Sequence, residues 1–324
     1  MADEAAIGVL TSGGDAPGMN AAIRAVVRTG LQYGRKVIGV QNGYDGLIDG
    51  AYRPLGARDV GNILTHGGTM LYTRRSERFL DPRHQAEAVR RARAAGIGTL
   101  VIIGGEGSIQ GANALAGHGL PVAAIPASID NDVFGTDLSI GVDTALNTIV
   151  GAIDRLRDTA SSHNRAFLVE TMGRHCGYLA LVAGVVCGAE LVLVPEQKCG
   201  ASDVLAAIRN AHERGKTNAI IIVAEGAQCG IGELMKAIEA TDVGLTARAS
   251  RLGHIQRGGS PSALDRLLAS RMGVKAVQAL VAGQVNVMAG LDGSALRLVP
   301  LAQVIGRKRA PEDELFAMVR TLAL

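Results

Sequence analysis

Short apolar runs of strand length alternate with segments of helix length from the start of this chain: residues 7–11, then 20–33, then 37–40. That alternation admits few folds, because strands separated by helix-length crossovers pair in parallel and are covered on both faces by helices. An α/β fold follows, with the first half a doubly wound, mostly parallel sheet. The rhythm resumes at 166–169, 191–194 and 219–224, and Val204, Leu205, Ile208 and Ala211 form an apolar stripe at helical spacing. A second α/β unit therefore follows the first. No Pro- or Ser-rich linker, low-complexity stretch or exact repeat separates the two, so the boundary is placed near Gly141, ahead of a helix expected over 144–160.

Composition narrows the function classes. With 324 residues, 48% of them hydrophobic and 19% charged, the chain can bury a large core, and its length favours two domains. A net charge of +3 gives no electrostatic case for nucleic acid, and 3% aromatics without Trp supply no base-stacking platform. No apolar stretch is long enough to cross a bilayer, and residues 1–4 lack the basic start and apolar run of a signal peptide; the expected location is the cytoplasm, with no membrane partner. Cys176, Cys187, Cys199 and Cys229 show neither a CxxC pair nor metal-finger spacing, and are expected as reduced, mostly buried thiols.

Two segments carry the chemistry. Gly104-Gly105-Glu106-Gly107-Ser108 follows the apolar run 100–103, and Pro126-Ala127-Ser128-Ile129-Asp130-Asn131-Asp132 follows the run 122–125, so both are expected at the carboxyl edge of one sheet, where open α/β folds bind ligands. Glycines let backbone N–H groups approach phosphates, one carboxylate can hold Mg²⁺, and a second can take a proton from an attacking hydroxyl. The bland alternative for the second segment is an Asx-rich turn after a strand. The first strand runs into Thr11-Ser12-Gly13-Gly14-Asp15-Ala16-Pro17-Gly18-Met19-Asn20, which reads either as a phosphate cradle at a helix N-terminus or as a plain strand-to-helix turn; it matches neither GxGxxG nor the P-loop. In the second half, Glu170-Thr171-Met172-Gly173-Arg174-His175, Glu225-Gly226, and the basic stretch with Arg248, Arg251, His254 and Arg257 suit a sugar phosphate, or form a solvated basic face.

Taken together, TSGGDAPGMNAAIR at 11–24, GGEGS, SIDND, MGR at 172–174, GHIQRGGSP at 253–261 and LASRMG at 268–273 resemble bacterial-type 6-phosphofructokinases over nearly the whole chain. The resemblance implies two Rossmann-like three-layer αβα domains: 1–141 plus 256–306 binding nucleotide, and 142–255 plus 307–324 binding fructose 6-phosphate. It implies ATP as phosphoryl donor, Mg²⁺ held at Glu106, and a cytoplasmic homotetramer. Asp130 would be the base for the first-carbon hydroxyl of fructose 6-phosphate, with Ser128 and Asp132 beside it and Arg174 steadying the transferring group. Gly14, Tyr44, Arg75, Ser76 and Gly105, Glu106, Gly107 and Ser108 would line the nucleotide. The sugar phosphate would meet Ser128, Ile129, Asp130, Met172, Gly173, Arg174, Glu225, His254, Ile255, Gln256 and Arg257, with Arg165 and Arg248 arriving from a neighbouring subunit. Arg24, Arg28, Arg58, Arg157, Gly188, Glu190, Arg214 and Lys216 match an effector site for ADP or phosphoenolpyruvate, which makes allosteric control part of the expectation, with a purely structural interface as the alternative.

The chain departs from the family pattern at several positions. Glu106 stands where Asp is usual, Ala57 where Arg is frequent, and Ser76 and Leu80 where relatives can carry an aromatic and an Arg. Pyrophosphate-dependent relatives typically carry Asp at the position of Gly107 and Lys at that of Ala127, so Gly107 favours ATP. The competing readings are a pyrophosphate-dependent enzyme and a catalytically weak sensor of sugar phosphate or nucleotide; a nicotinamide-dependent dehydrogenase lacks its fingerprint here. All of this rests on one expectation, that Glu106 and Asp130 converge on a single magnesium-bound triphosphate.

Overall fold

The computed structural model describes residues 5–309 and 313–323; the N-terminal residues 1–4, and residues 310–312 and 324 of the expected second domain, lie outside the described residues. In chain order the elements are β1 (Ala6–Ser12), α1 (Met19–Gln32), β2 (Val37–Val40), α2 (Gly43–Asp49), β3 (Tyr52–Leu55), α3 (Pro82–Ala94), β4 (Ile97–Gly104), α4 (Glu106–Gly117), β5 (Val122–Pro126) and α5 (Val142–His163). There follow β6 (Arg165–Thr171), α6 (Tyr178–Cys187), β7 (Leu191–Leu193), α7 (Ala201–Glu213), β8 (Ala219–Ala224), α8 (Ile231–Glu239) and β9 (Thr246–Arg251). The chain ends with α9 (Ala263–Val281), β10 (Val287–Asp292), β11 (Ala295–Pro300), α10 (Leu301–Val304) and α11 (Asp313–Leu322). Packing divides it into two units: residues 1–128, 132–144 and 257–309 form the first, and 129–131, 145–256 and 310–324 the second. Helix α5 starts in the first unit and continues in the second, so the division falls after Thr144, three residues beyond the Gly141 boundary read from sequence.

The first unit is a seven-stranded sheet in the order β11-β10-β5-β4-β1-β2-β3. Its interior is parallel: β1 pairs with β2 and β4, β4 with β5, and β5 with β10, while β3 and β11 close the edges antiparallel. One face is covered by α2, α3 and α4, whose Leu47, Val89, Ile109 and Leu115 pack with Leu10, Val40, Leu100 and Ile102 of the strands. On the other face α1 and α9 approach closely through small residues, with Gly273 against Ala25. Local signals set the helix starts: Asp81 caps α3 by accepting from the Arg83 N–H, with Pro82 at the first helical position, and Ser262 caps α9.

The second unit is a four-stranded, all-parallel sheet in the order β7-β8-β6-β9. Leu168, Ile221 and Val223 pack against Val204 and Ile208 of α7 and Leu234 and Ile238 of α8. The stripe read from sequence is the buried side of α7, with Leu205 partly buried at its margin. Helix α6 packs with α11 on the opposite face. Among the described residues, no helix is long and apolar enough to cross a membrane.

Candidate active site

Each sheet has one place where neighbouring strands send their crossovers in opposite directions, and a crevice opens there beyond the carboxyl ends. In the first unit it lies between β1 and β4, because the chain leaves β1 toward β2 and leaves β4 toward β5. The loops after β1, β4 and β5 meet at that edge. A Cβ added to Gly104 would stand 2.5 Å from the Ser12 carbonyl oxygen and 2.5 Å from Ser108 Oγ, so only glycine allows the first and second loops to approach this closely. Ala127 N–H donates to Gly104 O at 3.0 Å, and a Cβ at Gly105 would lie in ordinary contact with Ser128. Ser128 in turn donates through Oγ to Asp132 Oδ1 at 3.1 Å.

Helix α4 begins at Glu106, directly after Gly105, and no side chain caps it, which leaves first-turn amides to face an anion. Glu106 is half-buried there and accepts from Gln110 Nε2 at 3.1 Å. Gly107 faces open space. Tyr44 reaches the loop from beneath: it is buried, stacks on Phe79 at 4.1 Å, and donates its hydroxyl to Ser108 O. Burial pushes its phenol pKa far up, so it stays a neutral donor that shapes the loop. Ser76 Oγ is committed to Asp45 and to the Phe79 N–H, while Arg75 is exposed. Arg257, expected beside the sugar phosphate, donates from Nη1 to Asp15 O at 3.1 Å, and its guanidinium covers Gly14.

Sequence reasoning missed the strap over this loop. Asn20, 4% exposed, donates from Nδ2 to His66 O and Gly67 O, both at 3.1 Å, and accepts from Met70 N–H at 2.7 Å. Thr73 Oγ1 then donates to Gly13 O at 2.8 Å. Asn20 stood in the quoted motif, but the backbone groups it serves lie far along the chain, between His66 and Met70.

In the second unit the corresponding crevice lies between β6 and β8. The turn Met172-Gly173-Arg174 follows β6, with both Gly173 (φ 139°) and Arg174 (φ 51°) left-handed. Arg174 N–H donates to Glu225 Oε1 at 2.8 Å, and a Cβ at Gly226 would collide with Arg174 O. The loops after β6 and β8 are thus fitted together, with the Arg174 side chain exposed. Gln256 is fully buried, accepting from Met172 N–H at 3.3 Å and donating to Gly253 O at 2.9 Å; it clasps the turn from behind, while His254 and Ile255 are exposed. Asp130 and its neighbours Ile129 and Asn131 group with this unit, and Asp130 is 5% exposed. Arg165 opens β6 and Met172 follows its end, so within one chain they mark opposite ends of the sheet, about 20 Å apart at ~3.3 Å per residue. Arg248 is inside β9, paired with Phe167.

A model of the phosphofructokinase family matches residues 6–280. The chain belongs to the phosphofructokinase family. It is 49% identical over 319 residues to a protein of Thermus thermophilus named ATP-dependent 6-phosphofructokinase 1, covering 98% of this chain and 99% of that one. With the ATP-dependent 6-phosphofructokinases of Thermotoga petrophila and Bacillus subtilis the identities are 50% and 46%, each over 318 residues and at the same coverage. Among solved phosphofructokinase structures, that from Saccharomyces cerevisiae superposes with a TM-score of 0.87 at 34% identity; the match takes in 99% of this chain but 48% of the yeast one. The pyrophosphate-dependent phosphofructokinase of Marinobacter aquaeolei has a TM-score of 0.84 at 19% identity, covering 98% of this chain and 91% of that one, a likeness of fold alone.

The residues matched to the phosphofructokinase effector site divide between the units: Arg24, Arg28 and Arg58 lie in the first, and Arg157, Gly188, Glu190, Arg214 and Lys216 in the second. Lys216 Nζ pairs with Glu190 Oε2 at 2.9 Å, Arg157 donates to the Cys187 and Gly188 carbonyls, and both Arg214 and Lys216 donate to Ala323 O. The four cysteines are free thiols, each only partly buried rather than mostly buried as read from sequence, and burial raises the pKa of Cys187 and of Cys199 to about 11. Neither is poised as a nucleophile.

Proposed function

We propose that this protein is an ATP-dependent 6-phosphofructokinase that moves the γ-phosphoryl group of ATP to the first-carbon hydroxyl of fructose 6-phosphate, giving fructose 1,6-bisphosphate and ADP. The observation that carries this reading is the meeting of the loops after β1, β4 and β5 at one sheet edge, with the open N-terminus of α4 among them. The first unit binds the donor: the amides of Gly105, Glu106 and Gly107 face the phosphates, Ser108 lines them, and Arg75 and Gly14 flank the nucleotide. Gly107, with open space around it, leaves room that ATP needs and pyrophosphate does not.

The residues also fit Mg²⁺. That ion takes one or two carboxylates together with substrate phosphates and water, and half-buried Glu106 beside an anion-binding helix start offers such a carboxylate. Bound there, Mg²⁺ neutralises phosphate charge. Among the described residues no cluster of three or more metal-ligating side chains offers an alternative, all-protein site.

The second unit binds the acceptor. Asp130 accepts the proton of the first-carbon hydroxyl as its oxygen attacks phosphorus, Arg174 steadies the charge on the moving phosphoryl group, and Met172, Gly173, Glu225 and His254 orient the sugar phosphate. Arg165 and Arg248 act on the site of a second copy in a homotetramer, a reading supported by the length of β6 between Arg165 and the Met172 turn. The cluster at Arg157, Arg214 and Lys216 takes an anionic effector such as ADP or phosphoenolpyruvate, and the enzyme works in the cytoplasm.

A coupled assay with Mg-ATP and fructose 6-phosphate, run beside one with pyrophosphate, tests the reading. Asp130→Ala is expected to lower kcat about 10³-fold while sugar-phosphate affinity stays within about tenfold, because a base acts in the transition state. Turnover with pyrophosphate alone, or wild-type kcat in Asp130→Ala, refutes it.

A further inference from the structure

Asp265 is a fully buried carboxylate to which the catalytic proposal gives no task. Three donors converge on it: Gly141 N–H reaches Oδ1 at 2.8 Å, and Thr144 N–H at 2.8 Å and Thr144 Oγ1 at 2.5 Å both reach Oδ2. The Thr144 hydroxyl accepts from Ser262 N–H at 3.0 Å, so its own hydrogen is directed at Asp265. Ser262, the cap of α9, donates through Oγ to Asp143 in the first turn of α5. Asp265 of α9 therefore serves backbone amides at the start of α5, while Asp143 of α5 orients the Ser262 hydroxyl that caps α9.

The neighbour of Gly141 is Ile140, which holds both ends of the loop between β5 and α5. Ile140 N–H donates to Pro126 O at 3.0 Å, and Ser128 N–H donates to Ile140 O at 3.1 Å. Between those ties the chain carries Ser128, Asp130 and Asp132. On its other side, Ile140 presses on the first glycine loop, where a Cβ at Gly18 would stand 2.5 Å from Ile140 Cγ2. Fixing Gly141 thus fixes the foot of the loop that bears the proposed base.

We propose that Asp265 is a positioning residue for phosphoryl transfer, holding the Ile140-Gly141 foot so that the Asp130 loop keeps its reactive geometry. The inference rests on the function proposed above. It requires an ionised acceptor: Asp265→Asn keeps the shape but turns an amide NH₂ toward at least one of three groups that already donate. Burial raises the Asp265 pKa, with the three donors opposing that shift and nearby Asp143 adding to it.

The test compares steady-state kinetics per mole of folded enzyme. Asp265→Asn is expected to lower kcat about tenfold or more with KM for ATP and fructose 6-phosphate within about threefold, since misplacement of a catalytic loop by ~1 Å costs up to ~100-fold in rate. Thr144→Val removes one donor and is expected to lower kcat about threefold in the same pattern. Thr144→Ser restores the donor and the wild-type kcat. If Asp265→Asn does not fold, the Thr144 pair decides alone. Wild-type kcat in Thr144→Val, an equal loss in Thr144→Ser, or KM values that rise as far as kcat falls would each overturn the proposal. Asp130→Ala, measured alongside, separates this outcome from failure of the functional reading: active Asp130→Ala enzyme defeats that reading whatever the Asp265 network does.

Discussion

In the function proposed above the two units solve one problem, binding a phosphate at a strand-order crevice, by different means. In the first, β4 passes into α4 through the single residue Gly105, and no side chain caps the helix. In the second, six residues lie between β6 and α6, and the start of α6 is already taken, because Gly177 N–H donates to Glu196 Oε1 at 2.8 Å. An unoccupied helix start suits the extended charge of a polyphosphate. Where a protein carboxylate fills that place, a phosphate must be met by side chains, the part the proposal gives to the exposed Arg174 and His254. Backbone recognition in one unit and side-chain recognition in the other would make the proposed donor and acceptor sites separable by mutation.

The largest effects that would break this separation come from the two glycines at which loops touch. Gly226→Ala drives a Cβ into Arg174 O, and the Met172-Gly173-Arg174 turn must move. We expect KM for fructose 6-phosphate to rise about tenfold or more with KM for ATP nearly unchanged, and stability to fall by about 1–3 kcal/mol. Gly104→Ala, crowding Ser12 O and Ser108, is expected to give the mirror image, with the loss in KM for ATP. Equal loss of both substrates in either variant, measured by two-substrate kinetics, would show that the units do not divide the labour.

A smaller effect sharpens the comparison at Gly107. No atom lies within 4 Å of an added Cβ there, so Gly107→Asp should leave the melting temperature unchanged. The new carboxylate faces the proposed nucleotide phosphates, and kcat/KM for ATP is expected to fall about tenfold, roughly 1.4 kcal/mol of like-charge repulsion, with KM for fructose 6-phosphate untouched. ATP kinetics identical to wild type would remove the triphosphate from that helix start.

What the sequence made legible follows from burial. Strands β1, β2, β4, β5, β6 and β8 showed in the sequence because each lies inside a sheet under two helical layers and so carries an apolar run, although the runs at 100–103 and 166–169 stop up to three residues short of the ends of β4 and β6. Of the edges, β7 read as well, at 191–194 against the observed Leu191–Leu193, but β3, β9 and β11 did not. β3 contains Pro54, and β9, Thr-Ala-Arg-Ala-Ser-Arg, has no apolar run at all; it is held by backbone pairing to β6 along one side, which composition does not record. The return of residues 257–309 to the first sheet likewise has no compositional mark, since α9 resembles any other helix with one buried face. Within the site, residues that offer themselves to ligands stood out by motif, whereas those that hold loops did not. Asn20 and Asp265 act on backbone groups far off in sequence, and the only local hint for Asp265 was its capping distance from Ser262.

The smallest predicted change concerns the acid at the start of α4. Glu106→Asp shortens the side chain by one methylene, about 1.5 Å, and gives up the 3.1 Å hydrogen bond from Gln110. A first-turn carboxylate of either length is favoured by the helix dipole, and Mg²⁺ keeps water ligands that can take up a shift of this size. We therefore expect kcat within about threefold of wild type and a Mg²⁺ half-saturation equal to or lower than that of wild type, read from initial rates across a magnesium titration at fixed ATP. Complete loss of activity would mean that the longer acid spans a distance no water can bridge, and that the helix start of the first unit recognises its ligand through one side chain of fixed reach. The two units would then differ in degree rather than in kind.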